Sequence, residues 1–179
     1  MLARALNEEY LVGNTCFGCG LENPEGLQIR IYRDGDRDDR LVGRYVPRPT
    51  HAGFPFIVHG GVQFTALDCM AGWMMFILRS PGQMMPLTTS ASMRFVRPVL
   101  THEPLDLEAQ VTRAGASPRD PVLITTAVKS PKGEVLSSGE FEYVLLPVEK
   151  FLKAVGTASL PDTYRRHFGL VPPGTARGG

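Results

Sequence analysis

One carboxylate stands within a long uncharged stretch of the chain. Residues 60–78 carry no formal charge except that of Asp68. A carboxylate among apolar neighbours costs free energy unless it is hydrogen-bonded or faces a wet cavity. We interpret Asp68 as an active-site acid, because titratable groups in unusual environments are concentrated in active sites. The alternative is a carboxylate that makes a structural hydrogen bond to a loop. Asp68 is therefore the first candidate for a catalytic residue.

Two consecutive glycines, Gly60 and Gly61, open the same stretch. If a helix begins there, its first backbone N–H groups have no intrahelical partner and lie at the positive end of the helix dipole. Unobstructed N–H groups of this kind can stabilise a developing oxyanion. Residues three and four apart share a helix face, so Thr65, Asp68 and Gly72 follow Gly61 along one face. The glycine at position 72 predicts close approach by another backbone or a ligand.

A CxxC pair, Cys16 and Cys19, could be half of a zinc site or a redox pair. A complete tetrahedral site needs two more ligands, which only distant residues such as Cys69 or His51 could supply. The pattern therefore predicts no bound metal and no redox cofactor. Three cysteines cannot all pair within one chain, which indicates a reducing compartment and predicts a cytoplasmic protein.

Composition and charge narrow the classes of function. A chain of 179 residues with 43% hydrophobic and 21% charged residues has the size and balance of one globular domain. Its net charge is +1, from 19 basic and 18 acidic residues that are spread along the chain. The basic residues form no clustered stripe, which argues against nucleic acid as a partner. An aspartate near the middle of a membrane-spanning helix costs about 2.5–3.5 kcal/mol. Residues 60–78 are therefore expected to form a buried core helix, and the first 14 residues lack the apolar run of a secretory signal.

The periodicity predicts two strands, one long helix, four more strands and a short helix. A single helix that is apolar on nearly every side can be covered by one strongly curved antiparallel sheet. The fold class is therefore α+β, with a curved sheet wrapped around one central helix. Residues 1–26 are expected to form a cap or loop, residues 27–146 the domain, and residues 147–179 an extension that frays at 172–179. The predicted strands are 27–32, 41–46, 87–96, 105–113, 122–130 and 134–145, and the predicted helices are 59–79 and 148–155.

At this point a family resemblance becomes visible. The run His59-Gly60-Gly61, followed by six residues and Asp68, resembles the HGG-x6-D motif of PaaI-like hot-dog thioesterases of the 4HBT-type superfamily. Residues 16–27 (CFGCGLENPEGL) are similar to an N-terminal motif of this group, and residues 88–98 (TTSASMRFVRP) to its strand after the helix. The resemblance covers roughly residues 15–146 and implies the hot-dog fold.

The resemblance also implies an activity and an assembly. It implies hydrolysis of an acyl-CoA with a small, medium-chain or aromatic acyl group, with no cofactor beyond the coenzyme A of the substrate. Two chains would pair as a homodimer, or as a dimer of dimers, with each active site made by both. Gly60 would supply the oxyanion N–H, and His59 would orient the turn or contact the thioester. Asp68 of the other subunit would activate water or attack the carbonyl, with Thr88 helping to hold the water.

Further residues and alternatives follow from the same resemblance. It places Gly61, Thr65, Thr89 and Ser90 beside the substrate. Position 53 is glycine where some members carry an assisting asparagine, and Thr50 or His51 could replace it. A hot-dog hydratase or dehydratase is one alternative, although that branch couples an aspartate with a histidine in one short segment. A non-catalytic acyl-CoA-binding or regulatory protein is the other.

Overall fold

The computed structural model describes residues 4–79, 84–115, 117 and 120–167. A π-helical turn, Met75–Arg79, continues the longest helix, and a 3-10 turn spans Pro49–His51. The helices are α1 (Leu6–Glu9), α2 (Gly60–Met74), α3 (Val148–Val155) and α4 (Asp162–His167). The strands are β1 (Arg30–Arg33), β2 (Arg40–Tyr45), β3 (Ala52–Phe54), β4 (Ile57–Val58), β5 (Met84–Phe95), β6 (Leu105–Ala114), β7 (Val122–Lys129) and β8 (Val135–Pro147).

Six antiparallel strands form one sheet in the order β1-β2-β6-β7-β8-β5, and α2 packs against five of them. The side chains of β7 alternate between buried and half-buried, as expected for a strand with one face on a core. Leu67, Met70 and Trp73 of α2 are at most 1% exposed, so the helix is the centre of that core. The predicted hot-dog fold is confirmed.

The predicted elements agree with the observed ones to within a few residues. The helix predicted over 59–79 is present, with its last five residues in the π-helical turn. β5 begins three residues earlier than predicted. The short elements α1, β3, β4 and α4 were not predicted, because two to six residues carry too little periodicity. The tail at 172–179 lies outside the described residues. Within the described part of the chain, no helix is long and apolar enough to cross a membrane.

The segment predicted as a cap is tied to the sheet by a buried asparagine. The side-chain amide of Asn7 donates hydrogen bonds to the carbonyls of Cys19 and Ile29, both at 2.8 Å. The backbone N–H of Ile31 donates to the Asn7 side-chain oxygen at 3.3 Å. A buried amide with these partners satisfies backbone groups that a loop would otherwise leave unpaired. The cap therefore packs as an ordered layer next to β1.

Candidate active site

The Asp68 carboxylate is held by two hydroxyl groups. Its Oδ1 accepts a hydrogen bond from Thr88 Oγ1 at 2.9 Å and lies 2.8 Å from the hydroxyl of Tyr143, which also lies 3.0 Å from the Asp68 carbonyl oxygen. Burial, and then the charge of Asp68, raise the pKa of Tyr143. The phenol is therefore protonated at neutral pH and donates to the carboxylate.

The sheet register explains why both hydroxyls reach the same oxygen. Thr88 on β5 lies directly opposite Tyr143 on β8, so the two side chains are cross-strand neighbours. A β-bulge follows Thr88, and Thr89 donates instead to the Glu142 carboxylate at 2.9 Å. The bulge therefore separates two adjacent threonines into different environments. Tyr143 was not predicted from the sequence, because only the register of β5 on β8 places it beside Asp68.

A cavity of about 190 Å³ opens beside Asp68. A Cβ atom at Gly72 would lie 3.4 Å from the Tyr143 hydroxyl, an ordinary contact with a side chain, so close approach by a ligand or another backbone stays a prediction. Of the predicted site residues, Asp68 and Thr88 line the cavity. The rest of the described lining is Leu11, Asn14, Cys16, Cys19, Cys69, Gly72, Trp73, Phe76, Pro86, Tyr143 and Tyr164.

The start of α2 presents one available N–H group. His59 is the N-cap residue, and its Nδ1 accepts a hydrogen bond from the Gly61 N–H at 2.9 Å. Among the described residues, none accepts a hydrogen bond from the Gly60 N–H. His59 therefore has the geometry predicted for orienting this turn, and Gly60 has the free donor predicted for an oxyanion. Contact between His59 and a thioester stays a prediction.

Position 53 has no room for a side chain, which explains the glycine there. A Cβ atom there would lie 2.6 Å from Cδ2 of His59, so a larger residue in this position would displace the capping imidazole. His51 cannot replace the missing asparagine, because its buried ring is hydrogen-bonded to Tyr45 at 2.6 Å and to Arg48. The pKa of His51 is lowered by burial and by the charge of Arg48. The interpretation of His51 as a water-positioning residue was wrong.

The remaining predicted substrate residues are not part of the described lining of this cavity. The hydroxyl of Thr65 donates to the Gly61 carbonyl at 2.9 Å, which is a bond within the helix. Ser90 is exposed on β5. Substrate binding by Gly61, Thr65, Thr89 and Ser90 stays a prediction.

The two halves of the predicted machinery are far apart within one chain. Gly60 and Asp68 are separated by eight residues of helix, and a rise of 1.5 Å per residue places them about 12 Å apart. A thioester carbonyl cannot contact both groups of the same helix. If both act on one substrate, they belong to different chains.

The three cysteines converge at the cavity wall. Cys16, Cys19 and Cys69 are free thiols, and their Sγ atoms all lie within 4.8 Å of one another. Of the two distant ligands considered for the CxxC pair, Cys69 lies beside it, because α2 brings it there, and the prediction that no metal is bound stays untested. The sequence contained Cys69 as a candidate but gave no sign of its proximity.

A family model and a solved structure that are similar to this chain are both described as thioesterase superfamily. The family model described as the thioesterase superfamily matches residues 57–117. No curated protein sequence matches the chain significantly. A crystal structure described as a thioesterase superfamily protein is 25% identical with a TM-score of 0.63. The match covers 73% of this chain and 60% of that one, so this chain spans less than two thirds of that neighbour's length.

Two other solved structures share the fold at lower identity. The PaaI protein from the phenylacetic acid degradation operon of E. coli is 17% identical, with a TM-score of 0.57 over 67% of this chain and 80% of that one. A hypothetical thioesterase from Streptococcus pneumoniae, solved with coenzyme A, is 15% identical, with a TM-score of 0.56 over 66% and 90% of the two chains. At this identity the likeness shows the fold.

Proposed function

We propose that this hot-dog-fold chain is a thioesterase of the superfamily whose model matches residues 57–117, and that it hydrolyses acyl-CoA thioesters to a free acid and coenzyme A. The observation that carries the proposal is the Asp68 carboxylate, held by Thr88 and Tyr143 at the wall of a cavity. A carboxylate fixed in this way by two donors is positioned for one approach to a bound carbonyl.

The proposed reaction needs an oxyanion donor, a carboxylate and water. The Gly60 N–H donates to the thioester oxygen as negative charge develops on it. Asp68 either takes a proton from the attacking water or attacks the carbonyl carbon itself, forming an anhydride that water then opens. In both cases the C–S bond breaks, coenzyme A leaves as a thiolate, and the oxygen of water ends in the acid.

The proposed site is shared between two chains. The separation of about 12 Å between Gly60 and Asp68 along one helix requires a second copy if both groups act on the same carbonyl. Strand β5 is an edge strand, with β8 as its partner in the sheet on one side. Unprotected edge strands favour pairing with another chain. Exposed large apolar side chains support a homodimer that joins at β5, or a dimer of dimers. Phe95 ends β5, Val96 follows it and Phe64 lies on α2, and these side chains are 39–59% exposed.

The cavity favours a compact acyl group. Its apolar lining includes Trp73, Phe76 and Pro86, and its volume of about 190 Å³ is small for a long chain. A short or aromatic acyl group fits such a pocket better than a long aliphatic one. Coenzyme A in the Streptococcus pneumoniae neighbour supports a CoA ester as the substrate class.

The first experiment combines a substrate screen with Asp68→Asn. Acyl-CoA esters from acetyl to long-chain and aromatic groups are assayed for thiol release, and the best substrate is used for the variants. Asp68→Asn should lower kcat by about 100-fold to 10,000-fold, because the two side chains have nearly the same size and only the basic oxygen is lost. Thr88→Val should cost less, since that hydroxyl only positions the carboxylate. Thermal melts of each variant confirm folding.

Full turnover by a folded Asp68→Asn variant would contradict the catalytic assignment. Binding of acyl-CoA without turnover by any wild-type sample would favour the non-catalytic alternative.

A second experiment tests the shared site by complementation. Asp68→Asn and Gly60→Pro are each expected to be nearly inactive, the second because it removes the oxyanion N–H. If each site takes Gly60 from one chain and Asp68 from the other, a mixed dimer has one intact site. Random re-pairing of equal amounts should therefore restore about a quarter of the wild-type activity. Exchange of subunits between the two variants is confirmed by mass spectrometry. If mixing then restores no activity, either both groups act within one chain or the two groups do not act on the same substrate.

A further inference from the structure

The three cysteines are brought together by two separate parts of the fold. Cys16 and Cys19 lie in the N-terminal cap, and Cys69 lies on α2 next to the proposed catalytic residue. Glycine at position 18 permits this approach, because a Cβ atom there would lie 2.2 Å from the Cys69 sulfur. At this point the sulfur of Cys69 on α2 therefore packs directly against the backbone of Gly18 in the cap.

The spacing of the sulfurs matches a metal site. The Sγ atoms of Cys16 and Cys69 are 3.9 Å apart, and all three sulfurs lie within 4.8 Å of one another. In a tetrahedral zinc site with Zn–S bonds of about 2.3 Å, neighbouring sulfurs lie about 3.8 Å apart. A Zn²⁺ ion could therefore be bound with only small movements of the three side chains.

Hydrogen-bond donors are already directed at one of the sulfurs. The indole N–H of Trp73 donates to Cys19 Sγ at 3.2 Å, and the Asn14 amide donates to it at 3.6 Å. The Asn14 oxygen accepts from the Cys16 N–H and from the Tyr164 hydroxyl, which fixes the amide with its NH₂ group toward the sulfur. N–H donors beside a ligand sulfur fix its position and orient it for a metal.

The charge at the cluster favours a cation. Along the described wall of the cavity, Asp68 is the one side chain of formal charge, and no lysine or arginine faces the sulfurs there. No positively charged side chain on this wall would therefore repel a metal ion that approaches the sulfurs. A thiolate is the form that binds soft and borderline metal ions.

We infer that Cys16, Cys19 and Cys69 form a binding site for one Zn²⁺ ion at the wall of the active-site cavity. Because all three cysteines line the cavity, a fourth ligand would enter from it, as water or as a thiol. Zinc would fasten the cap to α2 beside Asp68. This inference goes beyond the proposed hydrolysis and does not depend on it.

The test uses the full-length protein, reduced, freed of metal with a chelator and kept without oxygen. Titration with Co²⁺ should give a thiolate-to-cobalt charge-transfer band and the visible bands of tetrahedral cobalt, saturating at one ion per chain. Zn²⁺ should then displace the cobalt at the same stoichiometry and raise the melting temperature, because an ion that binds only the folded state stabilises it.

Three variants locate the site. Cys16→Ser and Cys69→Ser should each weaken zinc binding by more than the roughly 10–100-fold that is typical for loss of an outer hydrogen-bond partner. Thr88→Val is the matched control, since it lines the same cavity without a sulfur and should bind zinc as the wild type does.

None of these measurements uses turnover, so an inactive enzyme would leave the result intact. A folded, reduced wild-type protein that shows no charge-transfer band and retains no zinc would overturn the inference. That wild-type result decides the question even if the cysteine variants unfold.

Discussion

The strongest test of the start of α2 removes a single N–H group. Proline is tolerated at the first position of a helix, where its missing N–H would have no intrahelical partner. His59, the residue before it, has φ −57° and ψ 138°, which is the extended conformation that a following proline requires. Gly60→Pro should therefore preserve the helix while it deletes the proposed oxyanion donor.

The size of the effect follows from the hydrogen bonds at this turn. The Gly61 N–H is already bonded to His59 Nδ1, so no neighbouring donor is free to replace that of Gly60. Loss of one oxyanion donor typically lowers kcat by about 100-fold to 1,000-fold, which corresponds to about 2.7–4 kcal/mol. We expect Gly60→Pro to fall in this range.

Gly60→Ala is the matched control for the added side chain. A Cβ atom at this position would lie 3.1 Å from Cζ of Phe95 in either variant, so this steric contact is common to both. The ratio of kcat between the alanine and proline variants therefore isolates the N–H group. It is measured by thiol release from the best acyl-CoA, with thermal melts of both proteins. Equal kcat values in two folded variants would refute the oxyanion role of Gly60.

Two further predictions concern the cavity wall. Tyr143→Phe should lower kcat by roughly 10-fold with little change in melting temperature, because one of the two hydrogen bonds that position Asp68 is lost while the bond from Thr88 remains. Steady-state kinetics measure this change. An unchanged kcat would show that the Tyr143 hydroxyl has a structural role only. In metal-free protein, side-chain hydrogen bonds with Cys19 and then Cys69 lower the pKa of Cys16, so the rate of its alkylation by iodoacetamide should rise between pH 6 and pH 8 by much less than the roughly 75-fold expected of an unperturbed thiol. Peptide mass spectrometry follows this reaction, and a steep rise in rate with pH would contradict the thiolate at Cys16.

Local spacing was enough to predict the central helix and its two candidate functional residues, Gly60 and Asp68. Asp68 was recognisable because a charge is costly in an apolar helix, and Gly60 because consecutive glycines before such a helix leave N–H groups exposed. Both inferences use residues less than three helical turns apart. The same locality explains why the six long strands were predicted within a few residues.

Contacts between distant parts of the chain could not be predicted in this way. Tyr143 reaches Asp68 across 75 residues, through a strand register that a bulge alters at Thr89. Cys69 reaches Cys16 across 53 residues, through a cap that carries little periodicity of its own. Gly53 suggested a missing functional group, whereas the structure shows that it makes room for His59. Register and steric exclusion depend on the folded neighbours, which a single sequence does not list.

The distance between Gly60 and Asp68 along α2 has a consequence for how much enzyme a cell would need. If every site requires two chains, activity per milligram depends on the fraction of chains that are paired, and dilution below the dissociation constant of the dimer switches the protein off without any inhibitor. At low abundance the chains would then be inert, and turnover would rise with more than the first power of their concentration. The length of one helix would thus make the protein a sensor of its own expression level.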